Sequence, residues 1–164
     1  MFAKIADFVE EWTLEAELTA QAMDRLTDAS LKQPVAEGRR TLGQIAWHIA
    51  VSPHYMTSLG LDFAGPEREG APASAAAIAA ECRRLSEALL QAVRTQWTDA
   101  SLAETLEMNG KTWSKGGALR FTIMHQAHHR GQMTVLMRQA GLRVPEIYGQ
   151  TYESWIEQGV TPLP

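Results

Sequence analysis

Three of the five histidines crowd into one short stretch, MHQAHHRGQM, at positions 125, 128 and 129. If this stretch is helical, His125 and His129 stand one turn apart on the same face, because residues four apart lie one above the other. Two imidazoles so placed can share one metal ion. His128 is also spaced for a pair, three residues after His125, so spacing alone leaves a 125/128 pair open. A third candidate is His48, far upstream in TLGQIAWHIA. It borders an apolar stripe of Leu42, Ile45 and Ile49, which would let it point across a helical bundle. Three neutral imidazoles make a site with open coordination positions. A metal there acts as a Lewis acid and lowers the pKa of a bound water or thiol. The competing reading is that such histidines are merely packed or solvated, and only their combination favours ligation. His54 follows Pro53 and has no assigned role.

The elements that must position these residues read as helices. Phe2, Ile5, Phe8, Val9, Trp12, Ala16 and Met23 recur mainly at spacings of three and four, predicting a first helix over about 2–26. Pro34 and Gly38 mark a connector over 28–40. A second helix starts at Thr41 as N-cap, with Leu42, Ile45, Ile49, Met56 and Leu59 inward, and Pro53 should kink or end it near Ser52. After Gly60 comes a Pro/Gly-rich loop, 61–73. Ser74 caps a third helix to about Gln96, whose stripe Ile78, Cys82, Leu85, Leu89, Val93 makes Cys82 a packing residue. Leu102, Leu106 and Met108 share one parity, and Asn109-Gly110 then signals a hairpin turn. Gly116-Gly117 opens the last long helix, about 118–139, which Gly141 stops. Residues 150–158 fit one more short helix. The expected architecture is all-α: one domain over 1–164, a four-helix bundle with a small β-hairpin crossover before the last long helix. The long connections 61–73 and 97–117 are each long enough to span the bundle, so a simple up-down-up-down order is not required.

Composition narrows the function classes. At 164 residues the chain can bury one ordinary core. A net charge of −4 with no basic stripe argues against nucleic acid as the main partner. A single cysteine excludes an intramolecular disulfide framework and a cysteine-rich zinc site. The first residues carry Asp7, Glu10, Glu11, Glu15 and Glu17, an amphipathic pattern unlike a signal peptide, and no window reaches a membrane span. The expected location is the cytoplasm. Neither a phosphate-binding glycine loop nor a GxSxG motif is present.

TLGQIAWHIA (41–50) and HQAHHRGQMTVLMRQAGLRVPEIYG (125–149) resemble the DinB/YfiT-like family of bacterial metal-dependent enzymes. The resemblance covers nearly the whole chain in element order. It implies a four-helix bundle holding a divalent metal on three histidines, which carry over to His48, His125 and His129, with His128 a non-ligand. Pro53-His54 departs from the usual helical run after the first histidine. Characterised relatives imply thiol transfer: a low-molecular-weight thiol activated on the metal, zinc or nickel, attacks a small-molecule electrophile. Hydrolysis at the same site is the alternative, and a non-enzymatic, stress-related metal-binding protein is another. A third is a structural bundle with packed histidines, dimerising through the first helix and the hairpin.

No carboxylate lies within a turn of His125 or His129, so their outer hydrogen-bond partners are sought elsewhere, at Glu15, Gln44, Gln132 or water. Tyr55, Trp47, Trp113 and Tyr148 are candidates to line the pocket, with packing as the alternative for both tryptophans. Arg130 is expected at the surface or anchoring the tail.

Overall fold

A computed structural model describes residues 1–108 and 110–162. Among these residues five α-helices form: α1 (Ile5–Asp24), α2 (Leu42–Val51), α3 (Ala75–Gln96), α4 (Lys115–Gln139) and α5 (Tyr152–Glu157). The strands β1 (Thr105–Met108) and β2 (Lys111–Ser114) pair antiparallel between α3 and α4, with Leu106 opposite Trp113. Asn109 of the expected turn lies outside the described residues, and Gly110 takes φ +70°. Leu102 is not part of the ribbon: it is buried in a short 3₁₀ turn, Ala100–Ala103, that precedes it. No helix among the described residues is long and apolar enough to cross a membrane.

Local chemistry explains most boundaries. The Thr41 side chain accepts from the Gln44 backbone N–H while Gln44 reaches back to the Thr41 N–H, a reciprocal cap that starts α2. Pro53 removes a backbone donor, and the chain continues past Val51 as a 3₁₀ segment, Ser52–Leu59, closed by Gly60 in the left-handed region. The last long helix begins earlier than its glycine pair suggested. Ser114 caps α4 through Gly117, so both glycines lie inside the first turn. Gly116 is there for proximity: a Cβ would stand 2.1 Å from the Phe2 carbonyl oxygen. Phe2 N–H donates to Gly116 O, docking the N-terminus on α4.

Directions follow from the contacts. α1 runs parallel to α4, since Phe2 meets Gly116 and Thr19 meets Gln126. α3 is antiparallel to α1, with Ile5 N–H on Asp99 and Asp24 on Arg83. α2 is antiparallel to α4, with Tyr55 on Ala118 O and His48 beside His125. The order is therefore up-down-down-up. The parallel α2–α3 step needs a return path along the bundle, and residues 61–73 supply it. Asp62 bonds Gln96, Gly65 O accepts from Arg84, and Glu67 N–H donates to Glu81, each step nearer the start of α3. The second long connection does not span the bundle: it joins neighbouring ends of α3 and α4, and Lys115 N–H donates to Glu104 O.

The core is in two parts. One cluster gathers Met23, Leu42, Ile45, Ile49, Ile78, Cys82, Leu136 and Met137. The other gathers Phe8, Trp12, Met56, Leu89, Val93, Leu119 and Ile123. Buried polar residues Glu15, Thr19, Gln126 and Arg130 belong to neither cluster. This polar layer crosses the bundle at the level of the histidines.

Candidate metal centre

α2 supplies His48 from its last turn, and α4 supplies His125 and His129 from its middle. The ring centroids stand 4.9 Å apart for His48–His125, 4.6 Å for His48–His129 and 4.5 Å for His125–His129. Each ring offers one ligand atom, and these lie within 4.8 Å of one another. His48 Nε2 and His125 Nε2 are 3.2 Å apart. Donors on one tetrahedral metal at about 2.0–2.1 Å stand roughly 3.3–3.4 Å from each other. The His48–His125 separation matches that figure, and all three donors lie near enough to converge on one small cation.

The protonation states suit the same role. Burial, then the His129, His48 and His128 charges and Arg40, hold His125 down at about 4. Burial, then His129 and Arg40, lower His48, and burial is also the largest cause for His129. All three rings are neutral at neutral pH, as metal ligation requires.

The surroundings orient the rings. His129 Nδ1 lies 2.7 Å from Gln132 Oε1, so Nδ1–H donates and Nε2 keeps its lone pair for a metal. The Gln132 amide nitrogen lies 3.3 Å from His128 Nε2. His128 is thus exposed and outside the three-histidine group, and the 125/128 pairing is not the one the fold assembles. His54 is also elsewhere, edge-on to Phe63 at 5.5 Å. Glu15 and Gln44 have other partners: Gln44 closes the α2 cap, and Glu15 pairs with Arg130.

Arg130 is a correction to the surface expectation. It is 1% exposed and donates to Glu15 Oε2 at 2.5 Å, Thr19 Oγ1 at 2.9 Å, Glu15 O at 3.0 Å and the Tyr148 hydroxyl. Tyr148 in turn donates to Glu15 Oε2, so Arg130 does anchor the tail. Tyr148 therefore contributes its hydroxyl to the polar layer, while much of its ring stays exposed.

The aromatic wall is built differently from expectation. Phe121, which sequence reasoning passed over, lies 5.8 Å from the His125 ring. It was detectable one turn before His125 on the same face. Trp113 and Tyr55 pack edge-on against Phe121 and so support the wall from behind. Trp47 packs in the core. Cys82 is buried, and burial pushes its thiol up to about 12, which leaves it inert as a nucleophile. Beside the triad opens a cavity of about 670 Å³ whose lining includes His129, Gln132, Arg39 and Arg40.

Comparison with known proteins bears on the family and the fold. The DinB family profile matches residues 1–160. The uncharacterised protein YrdA of Bacillus subtilis (strain 168) is 44% identical over 162 residues, 98% of this chain and 97% of YrdA. The crystal structure of a DinB-like protein from Bacillus cereus ATCC 10987 superposes with a TM-score of 0.86 at 43% identity, covering 90% of this chain and all of that one. YfiT from Bacillus subtilis, described as a probable metal-dependent hydrolase with an unusual four-helix bundle topology, superposes at 0.67 with 20% identity over 85% of this chain and 89% of its own. That last likeness speaks to the fold. With its two histidine-bearing segments on facing helices of such a bundle, the chain belongs to the DinB family.

Proposed function

We propose that this protein binds one divalent cation, zinc or nickel, through His48, His125 and His129, and that it transfers a low-molecular-weight thiol to a small-molecule electrophile. The observation that carries the reading is the all-histidine cluster of neutral rings, half-buried and open to a groove. A cation held there supplies Lewis acidity, which lowers the pKa of a thiol or water in an open position. Gln132 fixes the His129 ring and its tautomer. Phe121 lies against one side of the His125 ring.

A bound cation would draw the proton from a thiol or from water alike, so both chemistries suit the same three histidines. Hydrolysis stays the second reading, because YfiT is described as a probable metal-dependent hydrolase. A stress-related metal-binding role without catalysis is the third. The reading includes a cytoplasmic location and a homodimer formed through α1 and the hairpin, which light scattering on the purified protein would test.

The test is elemental analysis of protein made without a histidine tag. The expected result is about one equivalent of metal, lost in His125→Ala and kept in His128→Ala. Less than a few tenths of an equivalent after adding zinc, nickel or manganese overturns the metal reading. Thiol loss in the presence of an electrophile, compared with a metal-free control, then separates transfer from the other readings.

A further inference from the structure

The cavity beside the triad has an uneven lining. Val35, Ile45, Val135 and Leu136 give it apolar sides, and Arg39 and Arg40 are its cationic residues. Among the described residues no carboxylate lines it, and neither arginine is in an ion pair. Val135 is 58% exposed and Val35 52%, so this apolar surface is open and accessible.

The arginines are held in place by backbone. Val35 N–H donates to Arg40 O, Pro34 bridges Thr41, and Arg39 N–H donates to Ala36 O. Gly38, at φ +67°, makes the turn between them. Arg40 is also close enough for its charge to act on His48, His125 and His129.

Charge balance gives the cavity a meaning. Three neutral imidazoles leave the charge of a divalent cation uncompensated, and two guanidiniums next to it add to the positive field. A cationic substrate is repelled by that field, and a neutral one gains no net charge attraction from it. An anion bearing a short apolar stem matches all three surfaces. We infer that this groove is an anion-recognising subsite: the substrate's reacting end sits at the histidines, its stem lies along Val135 and Val35, and a carboxylate or comparable anion at its other end is held by Arg39 and Arg40. The inference rests on the metal-site reading above, because the histidines define where the reacting end sits.

The test is calorimetric titration of the zinc-loaded full chain with 6-mercaptohexanoate and with 6-mercaptohexanamide, which differ in charge at the far end. The acid should bind about fivefold or more tightly, as one charge-assisted contact in a half-open groove supports. In the Arg39→Gln/Arg40→Gln variant the acid should bind no better than the amide, whose own affinity stays unchanged. The Arg39→Lys/Arg40→Lys variant keeps the charge and should retain a preference. Equal binding of the two compounds by the unmodified protein overturns the subsite. So does a preference that survives in the glutamine variant, because the carboxylate is then held elsewhere, and so does failure of both compounds to bind. Repeating the titration without zinc separates the two proposals. Zinc-dependent binding with no acid preference leaves the metal reading standing and removes the subsite. An acid preference that persists unchanged without zinc keeps the subsite and removes thiol binding at the metal.

Discussion

Replacing Arg130 by Met should destabilise the metal-free protein by about 3–5 kcal/mol, the usual cost of breaking one half of a buried ion pair. The structure gives the reason. Arg130 is 1% exposed and Glu15 6% exposed, and the guanidinium is 2.5 Å from the carboxylate. Methionine fills the aliphatic stem, so little cavity forms. What remains is a carboxylate between two apolar clusters, bonded among the described residues only to the Tyr148 hydroxyl. The Glu15→Leu/Arg130→Met double variant removes that orphaned charge. It should recover to within about 1–2 kcal/mol of the parent, the residue being lost hydrogen bonds to Thr19 and Tyr148. Urea unfolding in EDTA measures both. With a slope of about 1–3 kcal/mol per molar, the single variant should move the midpoint by more than about 1 M at unchanged slope. A loss below about 1 kcal/mol would refute the view that the pair holds α1 to α4. A double variant as unstable as the single would refute the orphaned charge as the cause.

Gln132→Leu should weaken metal binding about 10- to 100-fold, because His129 loses the acceptor that fixes its tautomer; competition against a chromogenic chelator reads this, and unchanged affinity would count against the arrangement. In metal-free protein the His125 ring should titrate near 4 by NMR, far below a free imidazole. Its folded pKa lies below the unfolded value near 6.5, so between those pH values the unfolded chain binds the extra proton. Its contribution to stability is therefore complete above pH 6.5 and declines as the pH falls toward 4. An ordinary titration near 6.5 would show that the triad is not assembled before metal arrives. Gly116→Ala should lower stability by about 1–3 kcal/mol, since its Cβ would stand 2.1 Å from the Phe2 carbonyl oxygen and the N-terminus must shift; a thermal melt equal to the parent's would contradict that contact.

The sequence by itself determined whatever depends on near neighbours. The stripe through Ile78, Cys82, Leu85 and Leu89 specifies α3, and the Thr41 cap and Pro53 bound α2, because helical period and capping are set within a few residues. The one-turn relation of His125 and His129 follows from the same rule. It also carried the family resemblance, since the motif residues are contiguous. Tertiary structure decided what crosses the bundle. His48 reaches His125 over 77 residues, and Arg130 finds Glu15 over 115. Only the up-down-down-up packing makes those partners. Arg130 read as a surface or tail-anchoring cation, and its burial was hidden, because a lone arginine gives no local sign of a distant carboxylate that offsets it. Gly116 looked like a helix opener because closeness to Phe2 has no signature in its flanking residues. The groove of Arg39 and Arg40 was hidden for the same reason: side-chain periodicity reports which face of an element is buried, and not which loop folds over its exposed edge.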